Sequence, residues 1–275
     1  MAELIWINGT LHPVAEARVS VLDHGLTVGD GVFETLKAVD GAPFAAGRHL
    51  DRLRRSADRL GLVVPCSDDE LRAAMDEVLS ARPLPLARVR ITVTGGPAPL
   101  GSERGEALPT VVVAAGPLVP PAPSTAVCVV PWPRNERGAL AGIKSTSYAE
   151  NVVALARARE QGCSEALFAT TTGLLCEGTG SNVFIVLGGR LCTPPLSSGC
   201  LAGVTRQLVL ETTDAVEVDL SMDDLAAADE VFLTSTGRDV QAVHRVDQRQ
   251  LAAPGPVTAA AAAAFADLTA RSLDP

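Results

Sequence analysis

Lys144 stands in AGIKSTSYAEN, residues 141–151, between a proline-broken stretch and a long alanine-rich helical pattern. The chain has few lysines, and this one follows a strand-and-loop pattern and precedes a helix. Its neighbours Ile143, Ser145 and Thr146 are small or apolar. Most lysines are solvated surface groups. A lysine at a strand-to-helix transition can instead point into a cleft, where desolvation lowers its pKa and leaves a neutral amine to act as nucleophile and base. Such an amine can bond covalently to an aldehyde. Glu177, in CEGTGSN, is a second candidate. Turns collect carboxylates, but a carboxylate set against a pyridine nitrogen keeps that nitrogen protonated and the ring electron-withdrawing.

Three further stretches could hold an anion. SGCLAGVTR, 198–206, carries a glycine-bearing turn into a helix start. The backbone amides of Val204 and Thr205, with the Thr205 hydroxyl, suit a phosphate there; an ordinary helix cap explains the same residues. TSTG, 234–237, is a strand end rich in hydroxyls, and Thr236 could reach a phosphate. Arg52 follows His49 on a helical pattern and borders the apolar stripe of Leu50 and Leu53. Arginine binds phosphate in a bidentate fork, although Arg54, Arg55 and Arg59 nearby also fit a solvated basic face. The glycines of VGDGVF, 28–33, match neither nucleotide-loop pattern. No G-x-S-x-G elbow occurs, and the six cysteines form no C-x-x-C or other zinc spacing.

These residues need a scaffold to bring them together. At 275 residues, 47% hydrophobic and 20% charged, the chain can form one large domain or two ordinary ones. A net charge of −9 argues against nucleic acid as the main partner. The start, MAELIWINGT, has no signal-peptide pattern, and no apolar run is long enough to span a membrane. The expectation is a reduced, cytoplasmic protein.

Strand patterns cover LIWING with its Asn-Gly turn, Val32–Val39, ARVRITVTGG and PTVVVAAG. Two helices lie between, one with Leu50, Leu53, Ala57 and Leu60 at helical spacing and Gly61 as its stop, the other over Ser67–Ala81. They make a small N-terminal α/β domain over residues 1–116. Residues 117–123 form a proline-rich linker. A larger domain over 124–275 then carries Lys144, with strands in TAVCVVPW, EALFAT, LLCEG, NVFIVL, RLCTPP and EVFLTST. Its helices follow Ser147-x-x-Glu150, a capping-box signature, open at GVTRQLVLETT, and close the chain in an alanine-rich run.

The order of these motifs is more specific than any one of them. DHGLTVGDGVFETLK, RHLDRL, GIKSTSY, EALFATTTGLLCEGTGSNVF, TPPLSSGCLAGVTR and FLTSTGRDV together resemble the class IV aminotransferases, the fold-type-IV pyridoxal-phosphate enzymes. The similarity runs from about residue 4 to 250. It implies an α/β (α+β) fold of two domains, like that of the D-amino acid aminotransferases: a small α/β domain, a larger mixed-sheet domain of barrel-like form, and the cofactor between them, usually in a homodimer.

By the resemblance, Lys144 carries pyridoxal phosphate, Glu177 partners the pyridine nitrogen, and Arg52, Val204, Thr205 and Thr236 cradle the phosphate. Tyr148 lies one position off the active-site tyrosine of the branched-chain enzymes. Thr94 stands where D-amino acid aminotransferases carry an arginine for the substrate carboxylate. TGGPAPLGSERG, KSTSYAEN and LCEGTGSN look most like 4-amino-4-deoxychorismate lyases, with Arg104 as a contact for a substrate carboxylate. The leading expectation is therefore a lyase forming 4-aminobenzoate and pyruvate from a small amino substrate. The alternative is a transaminase for branched-chain or D-amino acids with a 2-oxo acid acceptor; a cofactor-free binding protein is a remote third.

Overall fold

A computed structural model describes residues 3–275 of the chain. Two compact units form. The first comprises the chain up to Val119, together with Ile143–Tyr148 and Leu273–Pro275; the second comprises Pro120–Gly142 and Ala149–Ser272.

The first unit contains β1 (Leu4–Ile7), β2 (Thr10–Pro13), α1 (His24–Thr27), β3 (Gly31–Val39), β4 (Ala42–Pro43), α2 (Ala46–Leu60), α3 (Asp68–Ala81), β5 (Leu86–Thr94) and β6 (Thr110–Pro117). Its strands make one antiparallel sheet in the order β2-β1-β6-β5-β3-β4. Asn8-Gly9 and Asp40-Gly41 turn the two hairpins with positive φ at both residues, the conformation a two-residue hairpin loop requires. Alternation sends Val32, Leu36, Ile91, Val93, Val111 and Val113 to one face, where Leu50 and Leu53 of α2 and Leu71 and Met75 of α3 cover them. Burying a side chain such as Leu53 fully contributes about 1.5–3 kcal/mol. Gly61 ends α2 in the left-handed conformation, and Ser67 with Glu70 closes a capping box on α3.

The short segment Ile143–Tyr148 belongs to this first unit, whereas the sequence reading put Lys144 in the larger domain. The reason is backbone pairing. Phe33 N–H donates to the Lys144 carbonyl at 3.0 Å, Thr146 N–H donates to the Gly31 carbonyl at 2.8 Å, and Val32 and Ser145 form an antiparallel bridge. The expected capping box at Ser147 gives way to the same pairing. Ser147 Oγ donates to the Gly29 carbonyl, and Glu150 accepts from Arg134.

The second unit contains β7 (Ser124–Val129), α4 (Ala149–Glu160), β8 (Glu165–Ala169), β9 (Leu175–Gly178), β10 (Asn182–Leu187), β11 (Arg190–Thr193), α5 (Val204–Thr212), β12 (Val216–Glu217), α6 (Met222–Ala227), β13 (Glu230–Ser235), β14 (Asp239–Val246), β15 (Arg249–Gln250) and α7 (Pro256–Arg271). Its mixed sheet runs β12-β11-β10-β13-β14-β7-β8-β9, with β15 beside β14. The pairs β7–β8, β7–β14 and β11–β12 are parallel. The strands read as near-continuous apolar runs because both faces are covered: Val127, Leu167, Val183, Ile185 and Leu233 lie in one cluster, and Cys128, Ala154, Ala158 and Phe168 in another. The buried Glu230 carboxylate accepts the Val257 and Thr258 amides and so caps α7. The six cysteines are free thiols, and burial pushes the Cys200 thiol up to about 11, far from thiolate chemistry. Among the described residues no helix is long and apolar enough to cross a membrane.

Candidate active site

β3 organises the candidate residues of the first unit. Successive residues of a strand point to opposite faces, so Phe33 and Glu34 serve different surroundings. On the outward side, Lys144 Nζ lies 4.4 Å from the centroid of the Phe33 ring, within cation–π range. The Arg90 guanidinium, from β5, stacks over the same ring at 3.8 Å. Tyr148 meets the ring edge-on at 5.3 Å. One aromatic ring thus gathers an amine, a guanidinium and a phenol. The Lys144 amide is 3.4 Å from Ser56 Oγ of α2, which it can reach as a donor.

On the inward side, Glu34 places a carboxylate among the apolar residues of the buried face. Its side chain is fully buried. Arg52 donates to it from Nε and Nη2, each at 2.7 Å, and His49 Nδ1 lies 2.7 Å from Oε2. Burial opposes the charge on Glu34, but the Arg52 and His49 interactions outweigh it and hold the carboxyl well below the usual range. Burial, with the Arg52 and Lys144 charges, pushes His49 below its ordinary value despite Glu34. The lowering favours the neutral form of His49, and Nδ1, facing a carboxylate that only accepts, is the donor. The bidentate edge that the sequence reading reserved for a phosphate is thus turned to Glu34.

The second unit holds the remaining candidates. The Leu201 amide donates to Glu177 Oε2 at 2.9 Å, and Arg134 Nε lies 3.3 Å from Oε1. Arg134 is itself fixed by Glu150 and Asn151 at the start of α4 and stacks on Phe168 at 4.1 Å. Val204 and Thr205 open α5, whose cap Gly203 offers no side-chain partner, so first-turn amides remain for an acceptor. A Cβ at Gly203 would collide with Asn182 Oδ1, and Asn182 Nδ2 donates to the Leu201 carbonyl. Cross-strand from Asn182, the buried Thr234 hydroxyl has no hydrogen-bond partner among the described residues. Thr236 lies in the β13–β14 turn that follows. Amides, hydroxyls and a helix N-terminus form a donor set that fits a phosphate, and the anchored carboxylate of Glu177 fits a protonated ring nitrogen.

Arg104 departs from its expected role. Its Nε and Nη2 clamp Asp30, and Nη1 and Nη2 also donate to the Gly61 and Leu60 carbonyls. The Arg104 hydrogen bonds hold Asp30 below the usual carboxylate range. The side chain thus straps its loop to the end of α2, because a nearby carboxylate and helix-end carbonyls saturate most of its donors. Thr94 likewise serves the fold: its hydroxyl, with that of Thr110, donates to the buried Asp23 carboxylate. The sequence reading missed Glu34, Ser56, Arg90 and Arg134. Glu34 had a readable signal, a charge at an inward position of an apolar strand. Arg90 and Arg134 had none, because their partners are remote in sequence.

The family profile described as amino-transferase class IV matches residues 31–246. A Methanocaldococcus jannaschii protein provisionally named a branched-chain-amino-acid aminotransferase is 36% identical over 254 residues, covering 89% of this chain and 88% of its own. The D-alanine aminotransferase of Listeria innocua is 30% identical, covering 93% and 92%. The solved T.th. branched-chain aminotransferase with pyridoxamine 5′-phosphate superposes with a TM-score of 0.91 at 29% identity, covering 99% of this chain and 96% of that one.

The buried ion cluster has a measurable signature. A carboxyl held below its unfolded value stabilises the fold above that value and loses the contribution as the pH falls through the folded one. Glu34→Gln is expected to be less stable than the parent by about 3–5 kcal/mol near neutral pH, since it leaves Arg52 buried without its counter-charge. The gap should close as the pH drops below the ordinary glutamate range. Urea denaturation near neutrality and in acid checks both parts.

Proposed function

The chain belongs to the class IV aminotransferases, and from that premise we propose that it is a pyridoxal-phosphate-dependent transaminase passing an amino group between a branched-chain amino acid and a 2-oxo acid. The observation that carries the reading is Lys144, held over Phe33 by a segment paired to β3. The lyase expected from the sequence gives way to its transaminase alternative, because the named relatives are transaminases. Between the two named substrate classes, Thr94 favours the branched-chain one: its hydroxyl is spent on Asp23 and it brings no cation for a D-substrate carboxylate.

When bound, pyridoxal phosphate supplies an aldehyde that links to amines and a ring that withdraws electrons from the substrate α-carbon. Lys144 Nζ is the amine that would hold the aldehyde, and as a free amine it would serve as the base that takes up and gives back the substrate α-proton. Glu177, held by Arg134 and the Leu201 amide, would keep a proton on the ring nitrogen. By the likeness to the family, Val204, Thr205 and Thr236 would hold the phosphate, and Arg52 is assigned to the same group. Tyr148, packed on Phe33 beside Lys144, lines the same side. Arg90, sharing the Phe33 ring with Lys144, receives the substrate carboxylate. Val19, Val21, Leu22, Leu26 and Val28 of the first unit, all exposed and close together in the chain, support a homodimer.

Borohydride reduction followed by digestion should place a pyridoxyl group on the peptide holding Lys144. The other lysine, Lys37, gives an internal control. Turnover of a branched-chain amino acid should require an added 2-oxo acid; pyruvate released from aminodeoxychorismate without an acceptor would restore the lyase. Arg90→Ala should raise KM for the amino acid about tenfold or more, with a smaller change in kcat, as expected for a lost charged hydrogen bond. An unchanged KM rejects that contact. Light scattering should give about twice the 28.4 kDa chain mass; a single-chain mass removes the dimer.

A further inference from the structure

α2 carries His49, Arg52 and Ser56 on its buried face, yet its N-terminus has no cap of its own. The residue before it, Ala45, lies in the left-handed region at φ 54° and offers no side-chain acceptor. A non-glycine residue in that conformation is held there by its surroundings. The holding groups come from the far end of the sequence. Ala45 N–H donates to the Leu273 carbonyl at 2.6 Å, and Gly47 N–H donates to Asp274 Oδ1 at 2.8 Å. Asp274 Oδ2 accepts from Arg72 of α3 at 3.0 Å, and Arg48 Nε donates to the Pro275 carbonyl at 2.6 Å. Asp274 thus does for α2 what a capping aspartate does from within a helix, from more than two hundred residues away.

The contact reaches the site through a continuous run of hydrogen bonds. The Leu273 carbonyl takes the Ala45 amide, and the Ala45 carbonyl takes the His49 amide at 3.1 Å, the first turn of α2. His49 Nδ1 then meets Glu34, which holds Arg52. Loosening the first turn frees His49, removes one of the groups on the Glu34 carboxylate and loosens Arg52.

We propose that Leu273–Asp274 is a positioning strap that caps α2 in trans along the chain and fixes the His49–Glu34–Arg52 cluster for cofactor retention. This rests on the reading of Arg52 as a holder of the cofactor phosphate. Asp274 touches no reacting atom; it acts through α2.

The test compares full-length Asp274→Ala with Asp274→Asn. Asparagine keeps the acceptor for Gly47 N–H and caps as well as aspartate, but gives up the charge that faces Arg72. Hydrogen exchange in a peptide spanning 44–50 reads the cap, and the rate of pyridoxal-phosphate loss from the protein in dilute phosphate reads the site. Asp274→Ala should speed both by roughly fivefold, the usual effect of losing a cap, and Asp274→Asn should restore both. Faster exchange with unchanged cofactor loss overturns the proposal, since Asp274 would then serve stability alone. Unchanged exchange overturns it as well. A parent protein that takes up no pyridoxal phosphate sinks the reading of Arg52 instead, and exchange at His49 then decides whether the strap reaches the cluster.

Discussion

The carboxylate of Glu34, buried without solvent and gripped by Arg52 and His49, is the constraint on which the first unit is built. Removing two ions from water costs several kcal/mol per ion, and good geometry offsets that cost without a large surplus. What such a cluster provides is specificity of placement. Apolar contacts between α2 and the sheet tolerate sliding, because a leucine packs acceptably in several neighbouring positions. A carboxylate that must meet a guanidinium fork does not. Once Glu34 and Arg52 are paired, the rotation and register of α2 over β3 are fixed, and Ser56 is brought to the amide of Lys144.

The same strand works in both directions. Glu34 faces inward and sets α2; Phe33, one residue earlier, faces outward and collects Lys144, Arg90 and Tyr148 around one ring. The pleat of β3 thereby couples the placement of Arg52 to that of Lys144. Ile143–Tyr148 completes the coupling by pairing with the start of β3. The backbone that carries Lys144 is held by hydrogen bonds to β3. In the second unit a parallel economy holds Glu177, where Arg134 ties the carboxylate to the first turn of α4 and to Phe168.

Much of the fold was legible because its signals are local. Asn8-Gly9 and Asp40-Gly41 specify hairpins through their φ preferences, Gly61 stops α2, and Ser67 with Glu70 caps α3. Each needs only residues within a few positions of itself. Strand β14 and the short helices α1 and α6 escaped, since they are brief or carry no clean period. Ser147-x-x-Glu150 shows the limit from the other side. The pattern fits a capping box, but Gly29 and Arg134 offer those side chains better partners, and local preference yields to tertiary contact.

The sequence by itself determined the order of the motifs, the apolar faces of strands and helices, and the identity of the chemical groups, Lys144 and Glu177 above all, because residue type and short-range spacing are properties of the chain before it folds. Which partner each group takes was decided only in three dimensions. Arg104 became a clamp on Asp30, Arg52 turned its fork to Glu34, and Lys144 joined the unit that its position in the chain does not suggest. The physical reason is that a charged side chain finds its free-energy minimum against whatever counter-charge and hydrogen-bond acceptors the fold sets within a few ångströms, and those neighbours come from segments tens to hundreds of residues away.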